Sequence, residues 1–208
     1  MVYLGSLCFI TDRSSCKLSY EDMVLRALKA GVKWIQYRDK ESSRREVYNE
    51  SIRLRGIAAD FDAAFIVNDY PDIALAVNAD GVHLGQDDLP LREARSIMGR
   101  DKIIGISTHS LNQAVEADRN GADYIGVGPV FQTATKNAGI PRGTDMLHEI
   151  KGQVHIPVVA IGGINLENIS SVLKAGADAV AVASAILSGD IEDNTRRFMK
   201  IIESFKVK

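Results

Sequence analysis

The stretch VVAIGGINLENISSVLKAGADAVAVASAI, residues 158–186, holds an apolar run, a helix and a second apolar run. Residues 158–161 form the first run, which ends in the corner Gly162-Gly163-Ile164-Asn165. Ile169, Val172 and Leu173 then recur at helical spacing, and Ala175-Gly176-Ala177-Asp178 turns the chain into residues 179–182, followed by Ala183-Ser184. Short continuous apolar runs are the signature of parallel strands covered on both faces. A Gly just past the last helical turn supplies the left-handed cap that sends the chain into the next strand.

The same rhythm extends back to the start of the chain. Further apolar runs lie at 7–10, 34–37, 64–67, 81–84, 103–106 and 124–127, which makes eight in all. Stretches with helical spacing separate them: Met23, Leu25, Ala27 and Leu28 before Gly31; Val47, Ile52, Leu54 and Ile57 before Phe61; Ala114, Val115 and Ala117 before Gly121. The corners at 29–32 and 120–123 nearly repeat the one at 175–178. Eight βα units with no linker or low-complexity tract predict one α/β domain over residues 1–208, a single closed (β/α)8 TIM barrel. An open doubly wound sheet is the competing fold. It calls for a Gly-rich turn after the first strand, and Thr11-Asp12-Arg13 is not one.

With 208 residues the chain can bury a large core without disulfides or metals. Its 25 Lys and Arg against 27 Asp and Glu leave a formal charge of -2. That balance gives no electrostatic case for nucleic acid or an anionic membrane. Cys8 and Cys16 have neither CxxC spacing nor a nearby His pair and are expected to be ordinary reduced thiols. The opening Met-Val-Tyr-Leu-Gly-Ser has no basic head followed by an apolar run, so the expectation is a cytoplasmic protein without signal peptide or membrane anchor. A homodimer is carried as an open expectation, since the sequence does not give the oligomeric state.

Barrel active sites form at the C-terminal ends of the strands, so the residues after each run matter most. After the second run come Gln36, Arg38 and Lys40, placed on one side by strand alternation, with Tyr37 and Asp39 on the other. Two cations and an amide facing one cavity suit a polyanion joined to a planar heterocycle; the bland alternative is a solvated basic face. Asn68-Asp69 follows the third run and Gln86-Asp87-Asp88 the fourth. Asp69 and Asp88 on neighbouring strands can share Mg²⁺, which takes one or two carboxylates plus phosphate oxygens and water. Singly, each Asp could instead cap the helix that follows.

Ser107 after the fifth run can donate to phosphate or cap a helix. His83, within the fourth, is expected to be a hydrogen-bonded core residue, and neither it nor His109 has a nucleophile beside it. After the sixth run, residues 131–139, FQTATKNAG, carry Thr133, Thr135 and Lys136, with Gly139 and Pro141 as hinge and stop of a lid. Gly163 after the seventh run and Ala183-Ser184 after the eighth form the usual monophosphate cradle of such barrels: a Gly loop facing a short helix N-terminus.

Gly163 and Ser184 can hold a monophosphate. Arg38, Lys40, Lys136, Asn68 and Mg²⁺ on Asp69 and Asp88 make a second, stronger anion site, more than a lone monophosphate needs. The pair suggests displacement of diphosphate from one substrate by a second, monophosphorylated one, with electrostatic catalysis and no nucleophile or general base.

IQYRDK, FIVNDYPDIALAVNADGVHLGQDD, GISTHS, DYIGVGPVFQTATK and PVVAIGGINLENISSVLKAGADAVAVASAI closely resemble thiamine-phosphate synthase, also called thiamine-phosphate pyrophosphorylase, over essentially the whole chain. The resemblance implies coupling of hydroxymethylpyrimidine diphosphate to thiazole phosphate through a pyrimidine carbocation, releasing diphosphate. It implies that Gln36 orients the pyrimidine and that Arg38, Lys40, Asn68, Ser107 and Lys136 grip the diphosphate. It also implies Mg²⁺ on Asp69 and Asp88, and thiazole phosphate against Thr133, Thr135, Gly163, Ala183 and Ser184. The thiazole tautomerases (TenI-like) share the fold but carry a catalytic His where this chain has Pro129; a non-catalytic barrel that senses thiamine precursors is the third alternative. The segment after Lys136, NAGIPRGTD, is slightly shorter than in common family members.

Overall fold

The computed structural model describes residues 4–133 and 140–206. Its strands are β1 (Leu7–Ile10), β2 (Trp34–Tyr37), β3 (Ala64–Asn68), β4 (Gly81–Leu84), β5 (Ile103–Thr108), β6 (Tyr124–Val127), β7 (Val158–Ile161) and β8 (Ala179–Val182). The helices α1 (Tyr20–Lys29), α2 (Arg44–Asp60), α3 (Pro71–Ala76), α4 (Leu91–Met98), α5 (Leu111–Arg119), α6 (Gly143–Lys151) and α7 (Ile169–Lys174) lie between them; α8 (Ser184–Leu187) and α9 (Ile191–Lys206) follow. All strands are parallel and pair in sequence order, and β8 closes on β1 through Leu7–Val180, Cys8–Ala181 and Phe9–Val182. The open doubly wound sheet is thereby excluded.

Two strands run further than the apolar pattern suggests. Asn68 pairs with His83 as the last residue of β3, and Ser107 and Thr108 pair with Gly126 and Val127 inside β5. Their polar side chains hid the extension, but hydrogen bonds of the ladder do not depend on side-chain polarity. The helical faces also shift by a residue or so. Val24 rather than Leu25 packs inward on α1, and Ala58 joins Ile57 on the inner side of α2; Ile52 is 47% exposed.

Period-2 alternation divides the buried residues between two cores. Leu7, Phe9, Ile35, Tyr37, Phe65, Val67, Val82, Leu84 and their neighbours face the helices. Cys8, Ile10, Trp34, Ala64, Ile66, Tyr124, Val159, Ala179 and Ala181 fill the barrel. The Trp34 and Tyr124 rings meet edge to face at 5.0 Å. Tyr124 fits because its β5 neighbour in register is Gly105, where a Cβ would lie 2.0 Å from the phenol ring.

The corners behave as their sequence predicts: Gly31, Gly121 and Gly176 have φ of +105°, +84° and +96°. Two of these corners, and the one before β4, also carry an aspartate that tethers the strand beside it. Asp80 accepts from Phe65 N (2.8 Å), Asp123 from Ile104 N (2.7 Å) and Asp178 from Val158 N (2.7 Å). Arg55, Arg95 and Lys151 pair with them in the same order. These bonds lock the N-terminal end of the barrel, the end that serves stability, and leave the other free for chemistry. No helix among the described residues is long and apolar enough to cross a membrane.

Candidate active site

The site grows out of the inward row of each strand. Continued by one step past the apolar core, that row delivers Gln36 on β2 and Arg38 just beyond it, Asn68 on β3, His83 on β4, Ser107 on β5, Gly126 on β6, Gly163 beyond β7 and Ala183 beyond β8. A cavity of about 260 Å³ opens there, and Arg38, Ser107, Thr133, Gly163, Ala183 and Ser184 all line it. Strand geometry thus brings six of the predicted site residues to one hollow. Arg38 is held in place by its backbone, whose N–H donates to Thr11 Oγ1 (2.9 Å) while the Thr11 hydroxyl donates to its carbonyl (3.1 Å).

The β7 loop is built to lie against the start of the β6 loop. Val130 N donates to Ile161 O (2.9 Å) and Phe131 N to Gly162 O (3.0 Å). Gly163 has φ +64°, and a Cβ there would sit 2.3 Å from Gln132 O. Only Gly fits both the left-handed backbone and the close approach. Asn165 Oδ1 accepts the N–H groups of Glu167 and Asn168, and Asn168 Nδ2 donates to Gly163 O (2.9 Å), so the loop is braced from behind. Opposite, Ala183 caps the short helix α8 and Ser184 begins it. First-turn N–H groups lack intrahelical acceptors, which makes this edge of the cavity attractive to an anion.

The carboxylates gather beside the cavity. Asp69 takes φ +69°, a left-handed conformation that Asp tolerates better than most residues, and its N–H donates to His83 O (2.9 Å). This turn carries the Asp69 side chain into an ion pair with Lys40 and hydrogen-bonding reach of Asp88. Burial raises the Asp69 carboxyl above its usual range, with Lys40 opposing and Asp88 adding to the rise. Asp88 Oδ2 accepts from Gly85 N (2.6 Å). Lys40, Asp69 and Asp88 do not line the 260 Å³ cavity; Asp87, next to Asp88, does. Among the described residues no three His, Cys, Asp or Glu side chains converge as a metal cage.

The helix-cap alternatives for Asp88 and Ser107 do not apply. The N-cap of α4 is Pro90, with no side-chain cap bond, and α5 is capped by Ser110, so neither Asp88 nor Ser107 is a helix cap. Alternation on β2 holds: Asp39 points outward, accepting from Glu41 N (2.9 Å), Ser42 N (3.0 Å) and the Tyr37 hydroxyl (3.3 Å). Gln36 is buried beneath the cavity within hydrogen-bonding reach of Tyr124, and Asn68 ends β3 half-buried. Thr135, Lys136 and Gly139 lie outside the described residues.

Four cavity or near-cavity residues have no site role in the sequence reading. Asp12 lines the hollow, its carboxylate accepting from the Ser14 (2.8 Å) and Ser15 (2.6 Å) hydroxyls. Asp87 and His109 line it too, with His109 Nδ1 2.6 Å from Gly128 O. Tyr124 hides in the interior, yet Gly105 across from an aromatic on the inward row is a signal the sequence carried.

Residues 7–186 match the family described as thiamine monophosphate synthase. A thiamine-phosphate synthase of Halalkalibacterium halodurans is 48% identical over 187 residues, covering 89% of this chain and 89% of the relative. One of Clostridium acetobutylicum is 44% identical over 204 residues, 97% of each chain. The structure of thiamine phosphate pyrophosphorylase from Pyrococcus furiosus superposes with a TM-score of 0.89 at 42% identity, covering 96% of both chains.

Proposed function

Since this chain belongs to the thiamine monophosphate synthase family, we propose that it joins hydroxymethylpyrimidine diphosphate to thiazole phosphate, giving thiamine phosphate and diphosphate. The observation that carries this reading is the convergence of Arg38 and Ser107 with Gly163, Ala183 and Ser184 on one cavity. The first two are donors suited to a leaving diphosphate, and the last three are a neutral cradle for the partner's phosphate.

In this scheme Gln36 holds the pyrimidine over the barrel core while Arg38, Lys40, Asn68, Ser107 and Lys136 bind the diphosphate. The C–O bond to diphosphate breaks as the donors take up the charge on the departing oxygen. Thr133, Thr135, Gly163, Ala183 and Ser184 present the thiazole phosphate so that its ring nitrogen captures the pyrimidine methylene cation. Asp69 and Asp88 would hold Mg²⁺, which supplies further charge stabilisation at the diphosphate when bound. The paired carboxylates and the raised Asp69 carboxyl support that fit, because a second cation relieves their mutual repulsion. The free thiols Cys8 and Cys16 agree with a cytoplasmic setting.

A tautomerase needs a base where Pro129 lines the cavity, and a sensor needs no turnover. Incubation with both substrates and Mg²⁺ separates the three. The synthase releases one diphosphate per thiamine phosphate formed; thiazole phosphate binding without that product would reject the proposal.

A further inference from the structure

Beneath the cavity lies a chain of polar contacts that hydrophobic packing does not require. Tyr124, 1% exposed, places its hydroxyl 2.9 Å from His83 Nδ1. His83 Nε2 is 2.9 Å from Ser107 Oγ, and Ser107 lines the cavity. At the other end Gln36, 4% exposed, lies within hydrogen-bonding reach of the Tyr124 hydroxyl. Four side chains on β2, β6, β4 and β5 thus connect across the barrel interior, and burial makes each bond hard to exchange for water.

We propose that Gln36, Tyr124, His83 and Ser107 form one directional hydrogen-bond relay that fixes Ser107 as a donor toward an anion in the cavity, with Tyr124 and His83 as positioning residues. Donor and acceptor counts fit two opposite directions, and an anion in the cavity selects the one in which Ser107 donates outward. The Gln36 amide N–H donates to the Tyr124 oxygen, whose own proton goes to His83 Nδ1. A neutral imidazole accepting at Nδ1 carries its hydrogen on Nε2, and that N–H donates to Ser107 Oγ. Ser107 then has one hydrogen left to give, and the cavity is the open direction.

With the amide N–H committed to Tyr124, the Gln36 carbonyl oxygen is left to accept from a ring amino group. The residue proposed to meet the heterocycle and the residue proposed to meet the diphosphate therefore share one chain of bonds. Reversing any link would present a lone pair of Ser107 to a phosphate, a repulsive contact. This inference rests on the diphosphate reading of the cavity only for the identity of the anion.

The direct test is ¹⁵N NMR of histidine-labelled protein at neutral pH, with His83 assigned by comparison with His83→Asn. The relay requires His83 to be neutral with its hydrogen on Nε2; a hydrogen on Nδ1 overturns it, whatever the protein binds. The second test titrates inorganic diphosphate with Mg²⁺ into wild type, Ser107→Ala, Tyr124→Phe and the double variant by calorimetry. Ser107→Ala should weaken binding roughly tenfold, the scale of a hydrogen bond to a charged group. Tyr124→Phe keeps the ring that packs on Trp34 and should weaken binding about threefold, and the double variant should match Ser107→Ala within about twofold because the two act through one bond. Wild-type affinity in Tyr124→Phe, or losses that multiply, overturns the relay. Absence of diphosphate binding by the wild type would instead remove the functional reading, and the tautomer measurement would still decide the relay.

Discussion

Lys40 at the end of β2 forms an ion pair with Asp69 at the end of β3, and Asp69 lies within hydrogen-bonding reach of Asp88 beyond β4. Side chains from three strand ends therefore meet in one polar cluster. Asp69→Asn keeps the left-handed backbone, which Asn also tolerates, and removes only the charge. It should lower kcat by roughly a hundredfold or more, about 3 kcal/mol of barrier. Product formation under saturating substrates measures this, and a rate near wild type would take Asp69 out of the reaction. Asp69→Ala should lose stability as well, because Ala is strained at φ +69°.

Gly163 faces Gln132 O closely enough that any side chain must displace the start of the β6 loop. Gly163→Ala should therefore weaken thiazole phosphate binding, and Gly163→Asp should weaken it further by adding like charge. Gly121→Ala is the control: it has φ +84° but open space around its Cβ. It should cost about 1–2 kcal/mol of stability from backbone strain and leave binding unchanged. Unchanged calorimetric affinity in Gly163→Ala would free that position from any part in phosphate recognition.

On the outer face of β2, burial opposes the charge of Asp39, but the Glu41 and Ser42 N–H groups and the Tyr20 and Ser42 hydroxyls outweigh it and hold its carboxyl below the ordinary value. A carboxyl whose folded pKa is depressed stabilises the fold above its unfolded pKa and loses that contribution as pH falls through the folded value. The melting temperature of the wild type should thus exceed that of Asp39→Asn at neutral pH, with the gap closing below about pH 4. A gap independent of pH would assign the effect to packing.

Asp123 works at the opposite end of the barrel from the cavity, accepting from Ile104 N and pairing with Arg95. Asp123→Ala should lower stability by about 1–2 kcal/mol, the scale of a lost hydrogen bond with a stranded donor, while kcat stays at the wild-type level. Loss of activity in a folded Asp123→Ala protein would mean that the two ends of the barrel are coupled.

The fold was almost fully legible, because buried parallel strands must be continuous apolar runs and six of the eight strands have the bounds of those runs. β3 and β5 escaped by their polar ends: Asn68, Ser107 and Thr108 continue a ladder made by backbone groups. For the site, Arg38, Ser107, Gly163, Ala183 and Ser184 could be named in advance, since each follows an apolar run by a residue or two and that offset leads to the barrel mouth. Asp12 follows the first run at the same offset and His109 follows the fifth a residue further on, but a carboxylate and a lone imidazole are not by themselves signs of an anion site; the cavity they line is what marks them.

The amino-acid sequence by itself determined the eight-unit barrel, which end of it carries chemistry, and the family. These follow from local periodicity and from short motifs whose meaning survives without knowing what lies across the barrel. Only the tertiary structure decided that Lys40 pairs with Asp69, that Gly163 lies against Gln132, and that Tyr124 reaches Ser107 through His83. Such contacts join residues dozens of positions apart, and closing the sheet on itself brings them within a few ångströms. No local pattern encodes that closure distance by distance; it follows from strand register and the packing of the interior.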